Sequence, residues 1–363
     1  MQGQFGRLYY NKILLRPQTS RPFNFYCQDI MSFSFKDLRP VDGPNSNGHE
    51  FAVAVEKGLS GKPKRLPSWL IFDDRGSEIF QEIVRLETYL PAVSEIEIIH
   101  THQRFIADLI ISQKALQIID LGSGDGSKSM VLLEHLIQKN QRIHFMPIDI
   151  SAGAVKNLVA TLRSKFKNTS LTVTGIASEY FQGLSAISRG QFERNFVFYF
   201  GVTIGNQDYS SAGKFLRKLW GALNDGDFVM IGFDLMKNPK LLYRAYNDAG
   251  GVFQKFNLNL LDCINQKLGA NFVKQNFIQE AHYNEQSRAV ESYIYSIEEQ
   301  TVQIAALNRE FHFQAWEAMQ TEFSYKCTMP EIEALAQNNG FQIVEHLLDS
   351  KKFFVDAIWQ VKK

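Results

Sequence analysis

This sequence has few cysteines, no charge excess of either sign and no long apolar run. Its three cysteines, Cys27, Cys263 and Cys327, lie far apart and form no CxxC pair, which argues against a disulfide framework or a metal site and fits a reducing compartment. A formal net charge of +1 argues against a nucleic-acid-binding or membrane-surface protein, because both usually carry a basic excess. No apolar run reaches the ~18 residues that span a bilayer. We therefore expect a cytoplasmic protein without nucleic-acid, membrane or metal partners.

The first 31 residues differ from the rest of the chain, since they are basic and contain a single acid, Asp29. An arginine-rich, acid-poor leader can be an organelle-targeting segment. We expect instead a disordered arm, or an upstream start ahead of a natural beginning near Met31. Residues 1–31 are therefore excluded from the fold prediction.

Strand-like apolar runs alternate with helical patterns in the middle of the chain. The runs lie at 116–122, 143–150, 171–176, 196–202 and 228–235, and the helical patterns at 128–138, 152–166 and 211–223. This alternation predicts an α/β fold with a doubly wound, parallel sheet that has helices on both faces. The apolar hairpin pattern at 340–363 predicts that one strand of the sheet is antiparallel.

The alternation stops at Lys237, and a long helical pattern followed by strands with polar alternation extends to about residue 315. We expect this insertion to combine with the region before residue 94. Residues 32–93 and 237–325 would then form a second, smaller α+β domain that acts as a substrate-binding lid. Residues 94–236 and 326–363 would form the sheet domain.

A glycine-rich turn follows the first of these strands, in the sequence DLGSGDGSK (120–128). Gly122, Gly124 and Gly126 can adopt positive φ and admit a ligand close to the backbone. The spacing is neither the GxGxxG of dinucleotide enzymes nor a P-loop. DxGxGxG resembles the first motif of S-adenosylmethionine-dependent methyltransferases. A tight turn without a ligand is the alternative.

Two acids strengthen the nucleoside interpretation. Asp149 ends the second strand, where a carboxylate commonly binds ribose hydroxyls, although it could instead cap the following helix. Glu179 follows the third strand, beside Tyr180, where the two could contact an adenine. Lys128 could contact the ligand or point to solvent. The residues predicted to bind S-adenosylmethionine are Gly122, Ser123, Gly124, Lys128, Asp149, Glu179 and Tyr180.

The fourth strand ends in FYFGVTIGNQDY, which places Gly201, Gly205 and Asn206 at the carboxyl edge of the sheet. Methyltransferases that act on nucleobases or glutamine amides often carry an Asn/Asp-Pro-Pro-aromatic motif at this point, and this chain does not. An asparagine amide offers both a donor and an acceptor, which suits a small zwitterion.

Five stretches in the same order identify a resemblance. They are LPSWLIFDDRGSEIFQEI, LETYLPAVSEIEII, GVTIGN, DLMKNPKLLYRAYNDAGGVFQKFNLNLL and MQTEFSYK. Together they resemble the histidine-specific Nα-methyltransferases of ergothioneine biosynthesis, in a wider family that includes fungal enzymes acting on tryptophan derivatives. The resemblance runs from about residue 60 to the C-terminus. It implies a Rossmann-like class I methyltransferase fold and methylation of the α-amine of a free amino acid, histidine. We expect successive methylation to the trimethyl betaine, because anchors at both ends of the substrate would leave the nitrogen free to rotate, and we expect a monomer.

The resemblance also implies roles for individual residues. Asn206 and Tyr246 would hold the substrate carboxylate, with Gly201 near the amine. Tyr89, Glu322 and Ser324 would bind the imidazole, and Glu322 and Ser324 point to one face if they lie in a strand. Tyr89 or solvent could accept the amine proton, so Tyr89 and Asn206 are the candidate catalytic residues.

Several alternatives remain open from the sequence. Phe72 stands where the histidine enzymes have a tyrosine, which, together with Ser292 near the inferred pocket, allows another amino acid such as tryptophan. Phe80 and Tyr246 could be core residues rather than pocket walls, and Glu322 could be an exposed strand charge. A non-catalytic module that binds S-adenosylmethionine is the remaining alternative.

Overall fold

The computed structural model describes residues 33–39, 47–111, 115–186, 192 and 194–363. The expectations for residues 1–31 lie outside these ranges. The strands are β1 (Phe33–Asp37), β2 (Lys64–Arg65), β3 (Leu116–Leu121), β4 (Ile143–Asp149), β5 (Leu171–Ala177), β6 (Arg194–Tyr199), β7 (Phe228–Asp234), β8 (Phe277–Asn284), β9 (Ala289–Ser296), β10 (Gln300–Ile304), β11 (Arg309–Phe313), β12 (Ala318–Tyr325), β13 (Phe341–Leu348) and β14 (Phe354–Val361).

The α-helices are α1 (Asn47–Ser60), α2 (Asp74–Val84), α3 (Leu90–Ile110), α4 (Ser127–Gln138), α5 (Ala152–Phe166), α6 (Tyr180–Ser185), α7 (Tyr209–Ala222), α8 (Pro239–Tyr246), α9 (Val252–Leu268) and α10 (Met329–Asn338). Short 3-10 helices cover Ser68–Ile71, Thr203–Asn206, Lys274–Asn276 and Ala305–Leu307. Among the described residues, the helices are all too short or too polar to cross a membrane.

An eight-stranded sheet carries the glycine-rich turn, with the strand order β1-β5-β4-β3-β6-β7-β14-β13. The strands are parallel except β14, which is antiparallel to both β7 and β13. Strand order reverses on either side of β3, so the turn after β3 lies at the position where ligands bind in open α/β sheets. The predicted doubly wound sheet, with one antiparallel strand, is confirmed.

Strand β1 is a difference from the predicted organisation. Phe33–Asp37 falls within the range expected for the lid, but it pairs in parallel with β5 at the edge of the large sheet, from Phe33 beside Val173 to Asp37 beside Ala177. Its pattern is short and only its first residue is buried. A five-residue edge strand of this kind gives little periodic signal.

Two apolar layers cover the faces of the large sheet. One joins the sheet to α3, α4 and α5, through residues such as Ile106, Leu132 and Leu162. The other joins it to α6, α7 and α10, through residues such as Leu219 and Leu335. Strand β3 is buried along its whole length, as expected for a central parallel strand covered on both faces.

A third core belongs to the second part of the chain. It is built from residues between Phe51 and Ala92 and between Leu242 and Met319, around the four-stranded sheet β2-β12-β9-β8. These two stretches are close to the ranges predicted for the lid. Helix α3 contributes Ala92 to this core and Ile98 to the core of the large sheet, so one continuous helix joins the two parts.

The structure assigns a packing role to the third glycine of the turn, which leads to a test. Gly126 has a φ of +70°, and a Cβ there would lie 2.4 Å from Leu158. We expect Gly126→Ala to lower the free energy of unfolding by about 1–3 kcal/mol in chemical denaturation. Gly221→Ala is the matched control, because that added Cβ meets nothing within 4 Å. The interpretation is wrong if both variants unfold like wild type.

Candidate active site

A cavity of ≈ 740 Å³ lies at the carboxyl edge of the large sheet, where the second part of the chain covers it. The sheet side contributes the turn after β3, the ends of β4 and β5, and the segment after β6. The covering side contributes α2, the start of α3 and strand β12. The segments that form the wall lie far apart in the amino-acid sequence, from Arg65 to Phe323.

The first two glycines of the turn face this cavity. Gly122 and Gly124 have φ values of +76° and +52°, and both line the cavity. The Gly122 amide donates to the Ile148 carbonyl oxygen at 2.8 Å, which fixes the turn against β4. A Cβ on Gly122 would lie 3.1 Å from the Tyr180 hydroxyl oxygen. Bare backbone therefore forms this part of the wall, as the sequence predicts.

Asp149 fixes the turn and borders the cavity at the same time. Its Oδ2 accepts from the Gly124 amide and its Oδ1 from the Ser151 amide, both at 3.0 Å. Burial raises the pKa of Asp149, and these amide donors oppose that rise. Helix α5 is capped by Ser151, whose hydroxyl accepts from the Ala154 amide. Asp149 is therefore not the helix cap that the sequence left open.

Glu179, Tyr180 and Ser123 complete the predicted cofactor wall, and all three line the cavity. Glu179 is exposed, while the Tyr180 ring packs edge-on against Tyr199. The Ser123 hydroxyl is buried and has no hydrogen-bond partner among the described residues. A buried hydroxyl without a partner normally requires one, and here it borders the cavity.

Lys128 points inward and forms an ion pair with Glu95, a residue that the sequence analysis did not identify. Glu95 lies on α3 and is fully buried, and its other oxygen accepts from the Gly201 amide at 2.6 Å. The alternative in which Lys128 points to solvent is wrong. Glu95 connects the predicted cofactor wall to the predicted substrate wall.

A further acid missed by sequence reasoning is Asp120, at the end of β3. Its Oδ2 accepts from the Ser129 hydroxyl, and burial raises its pKa to about 7. Its position directly before the glycine-rich turn was a signal in the sequence, because Asp120 is the first residue of the DxGxGxG pattern.

The predicted substrate end of the cavity begins where β6 ends. Gly201 lines the cavity with a φ of +77°, and Asn206 ends the 3-10 helix Thr203–Asn206. The Asn206 Oδ1 atom is buried without a partner in the described part of the chain. An unpaired amide oxygen in the wall can accept from a ligand N–H, and the Nδ2 group of the same side chain can donate.

An aromatic wall from the covering part faces these groups. Phe72, Phe80 and Tyr89 line the cavity, with ring centroids 5.5 Å apart for Phe72 and Phe80 and 6.3 Å apart for Phe80 and Tyr89. Phe80 packs against the apolar core and also lines the cavity, so it is both a core residue and a pocket wall. Burial raises the pKa of Tyr89 well above its usual value, so its hydroxyl stays protonated near neutral pH.

Glu322 lines the same cavity, near enough to Tyr89 for its charge to help raise the pKa of that hydroxyl. It is 9% exposed, which excludes the interpretation as an exposed strand charge, and its Oε2 has no partner in the described ranges. Burial raises its pKa to about 7, and nearby Lys326 opposes the rise. Ser292 is the cross-strand neighbour of Glu322, but it does not line the cavity.

Tyr246 and Ser324 lie beside the cavity rather than in its wall. Their hydroxyl oxygens are 2.8 Å apart, and both residues are 1% exposed. The Tyr246 ring packs edge-on against Tyr89, at 5.9 Å between centroids. The structure therefore brings both predicted residues next to lining residues, and their contact with substrate stays a prediction.

Comparison with known proteins is consistent with this geometry. Residues 51–361 match the family of S-adenosylmethionine-dependent, histidine-specific methyltransferases. The chain belongs to this family. It is 33% identical to histidine N-alpha-methyltransferase of Mycobacterium tuberculosis, over 75% of this chain and 83% of that protein. It is 32% identical, with the same coverage, to the protein of that name from Mycolicibacterium smegmatis.

A solved structure of magnesium protoporphyrin IX methyltransferase from Synechocystis superposes with a TM-score of 0.42. It shares 12% identity with this chain and covers 80% of this chain and 96% of that one.

The methyltransferase cavity fits its family's methyl donor. The donor's adenosine, amino acid and sulfonium groups call for close backbone approach, a carboxylate near the ribose and polar partners. Gly122 and Gly124 allow the close backbone approach, and Asp149 and Glu179 provide carboxylates. The Ser123 hydroxyl, which has no partner among the described residues, provides a polar group. The cofactor of this methyltransferase is S-adenosyl-L-methionine.

The raised pKa of Glu322 predicts how stability depends on pH. In the folded protein this carboxyl keeps its proton up to about pH 7, whereas in the unfolded chain it loses it near the usual 4.5. The folded state then binds more protons between these values, so its stability falls as pH rises through that window. We expect ligand-free Glu322→Gln to be more stable than wild type by about 3 kcal/mol at pH 8, and equally stable at pH 4.

Thermal unfolding across this pH range measures the difference. Glu333→Gln is the control, because it makes the same chemical change at an exposed glutamate on α10. A Glu322→Gln variant that is less stable than wild type at pH 8 would contradict the assignment.

Proposed function

We propose that this methyltransferase transfers methyl groups from S-adenosyl-L-methionine to the α-amino group of L-histidine, in succession, to give the trimethyl betaine hercynine. The observation that carries the proposal is Glu322, a buried carboxyl in the same cavity wall as Phe80 and Tyr89, with one oxygen that has no partner among the described residues. An imidazole is flat enough to pack on Phe80 and carries an N–H that a carboxylate can accept. An entirely apolar side chain would leave that oxygen unpaired.

The relatives support the same substrate. The mycobacterial proteins are named histidine N-alpha-methyltransferases, and the chain is 28% identical, over 80% of its length, to ergothioneine biosynthesis protein 1 of Schizosaccharomyces pombe. This chain spans 38% of the yeast protein. Hercynine is the product expected from an enzyme of that pathway that trimethylates histidine.

The cofactor end would be held by the glycine-rich turn. Asp149 would accept the ribose hydroxyls while its amide bonds keep Gly124 in place. Glu179 and Tyr180 would border the adenine. When bound, the sulfonium supplies an activated methyl group, so the protein has to align donor and amine rather than activate either, and alignment of this kind can lower a barrier by ~7–11 kcal/mol.

At the substrate end, the protein's own groups would orient the amine. Asn206 and Tyr246 would hold the carboxylate, with Gly201 near the nitrogen and Ser324 near the imidazole. Because burial keeps the pKa of Tyr89 well above its usual value, Tyr89 is better suited to positioning the ring than to accepting a proton. The amine would lose its protons to solvent, since an α-amino group titrates near ~8.

The aromatic wall of the cavity also suits an alternative substrate, tryptophan or a derivative of it. Phe72 presents no hydroxyl to the cavity, and the chain is 30% identical, over 59% of its length, to 4-dimethylallyltryptophan N-methyltransferase of Claviceps purpurea. An indole would pack on Phe72 and Phe80, and its N–H could reach Glu322. Binding of tryptophan more tightly than histidine would favour this alternative.

The proposed setting is the cytoplasm, with the chain acting as a monomer. The buried free thiol of Cys263 suits a reducing compartment. Sedimentation of the purified protein, with and without the donor, measures the oligomeric state.

Mass spectrometry of the reaction products tests the function. Incubation of L-histidine with enzyme and donor should give species carrying one, two and three added methyl groups, with the trimethyl form at the end point. A product that stops at one methyl group would refute trimethylation. No transfer to any amino acid, despite donor binding, would favour the non-catalytic binding module.

Two variants separate the ends of the cavity. Asn206→Ala should lower kcat/KM for the amino acid by about 10²-fold while leaving donor affinity unchanged, because it removes an oriented amide worth a few kcal/mol. Asp149→Asn should weaken donor affinity by about 10-fold or more, since it loses a charged acceptor. Calorimetric titration with the donor and steady-state kinetics give both values. Equal effects of the two variants on donor affinity would contradict the division.

A further inference from the structure

Lys326 is the most deeply buried cation near the substrate end of the cavity. It is 1% exposed, directly after β12. Its ammonium group donates to the Tyr246 hydroxyl at 3.0 Å and to the Ser324 hydroxyl at 2.8 Å. It also lies 2.8 Å from the Asp234 Oδ2 atom at the end of β7. Burying a lysine without an evident gain in packing is costly, so its position calls for an explanation.

The hydrogen-bond arrangement restricts what the two hydroxyls can do. An ammonium has only donors, so Tyr246 and Ser324 must both accept from Lys326. They also bond to each other, which uses one of their two hydroxyl hydrogens. The Tyr89 hydroxyl also hydrogen-bonds to Tyr246, and Ser324 and Tyr89 both lower the pKa of Tyr246 against the rise caused by burial, as donors to its oxygen do. The hydrogen of the Tyr246 hydroxyl is then left for an acceptor of a ligand. Tyr246 is therefore suited to a carboxylate oxygen.

The charges around Lys326 favour an anionic ligand in the same way. Asp234 is shared between two buried lysines, Lys326 and Lys237. The Asp349 carboxylate also acts on Lys237, whereas Glu322 acts on Lys326. Because Asp234 is shared between two lysines, it gives Lys326 less than one full negative charge in a buried setting, and the carboxylate of an incoming amino acid would add to that charge.

We propose that Lys326 is a positioning residue that, through its hydrogen bond to Tyr246, makes the substrate end select ligands with an α-carboxylate. It does not touch the reacting atoms. Tyr246 packs on the lining residue Tyr89, and Ser324 is two residues from the lining residue Glu322. The inference rests on the proposed function, since it explains how an amino acid is told apart from the corresponding amine.

The test compares L-histidine with histamine, which has the same imidazole and amine but no carboxylate. Both are titrated by calorimetry into the full chain saturated with S-adenosylhomocysteine, so that no turnover occurs. We expect Lys326→Met to weaken histidine binding by about 10- to 100-fold, as for loss of a charge-assisted hydrogen bond. Histamine binding should change by less than about threefold, so the preference for histidine falls.

Lys237→Met is the matched control. It removes a second buried cation from the same Asp234 carboxylate, but Lys237 makes no hydrogen bond to Tyr246 or Ser324 among the described contacts. It should destabilise the protein to a similar degree and leave the ratio of the two affinities unchanged. If Lys326→Met does not fold, Lys326→Gln, which keeps a donor and removes the charge, is measured instead and should also lower the ratio.

The results separate the proposals. An unchanged ratio in the Lys326 variant, or an equal fall in the Lys237 variant, overturns the role of Lys326. Wild-type protein that binds tryptophan rather than histidine overturns the histidine assignment alone, and the same variants are then measured with tryptophan and tryptamine. Wild-type protein that prefers histamine to histidine overturns the role of Lys326 while leaving imidazole recognition intact.

Discussion

The site depends on a single buried carboxylate, Glu95. It lies on the helix that joins the core of the large sheet to the core of the covering part, and it binds Lys128 with one oxygen and the Gly201 amide with the other. Lys128 follows the glycine-rich turn and Gly201 begins the substrate end. A buried carboxylate must be paired, so the pairing fixes the two ends of the cavity relative to each other and to the covering part.

The covering part also contacts the cofactor wall directly. The Asp74 carboxylate accepts from the Ser151 hydroxyl at 2.8 Å, and a Cβ on Gly124 would lie 2.9 Å from the Gln81 amide nitrogen. Helix α2 therefore lies close over the glycine-rich turn, which is the predicted donor site. A cover of this kind lowers the access of water to a site and thereby strengthens electrostatic interactions inside it.

The parts of the site that could be predicted from sequence are those with local signatures. Gly122 and Gly124 follow a strand directly and Asp149 ends the next one, so period and spacing place them at one edge of the sheet. Asn206 follows the fourth strand in the same way, whereas Tyr89 and Glu322 are implied by the resemblance to a known family alone. The position of Phe33–Asp37 in the large sheet could not be predicted, because pairing with a strand far away in the sequence produces no local sequence pattern.

Glu95 and Lys326 could not be predicted for a different reason. Each acts through a partner far away in the chain, as Glu95 does through Gly201 and Lys326 through Asp234. A charged residue in an amphipathic helix or after a strand is normally read as solvent-exposed. Only the assembled structure shows that these positions are buried, and burial is what turns an ordinary charge into a fixed partner.

The protonation states of the buried groups bear on a reaction in which a positive charge is transferred. Methyl transfer moves one positive charge from sulfur to nitrogen, so the total charge in the cavity does not change as the bond forms. Asp120 and Glu322, with pKa values raised to about 7, can be neutral or ionised at little free-energy cost near neutral pH. Tyr89 and Tyr246 stay neutral because burial raises the pKa of each well above its usual value. The two tyrosines therefore keep one protonation state near neutral pH, and fixed neutral dipoles of this kind need no reorganisation when a charge moves beside them.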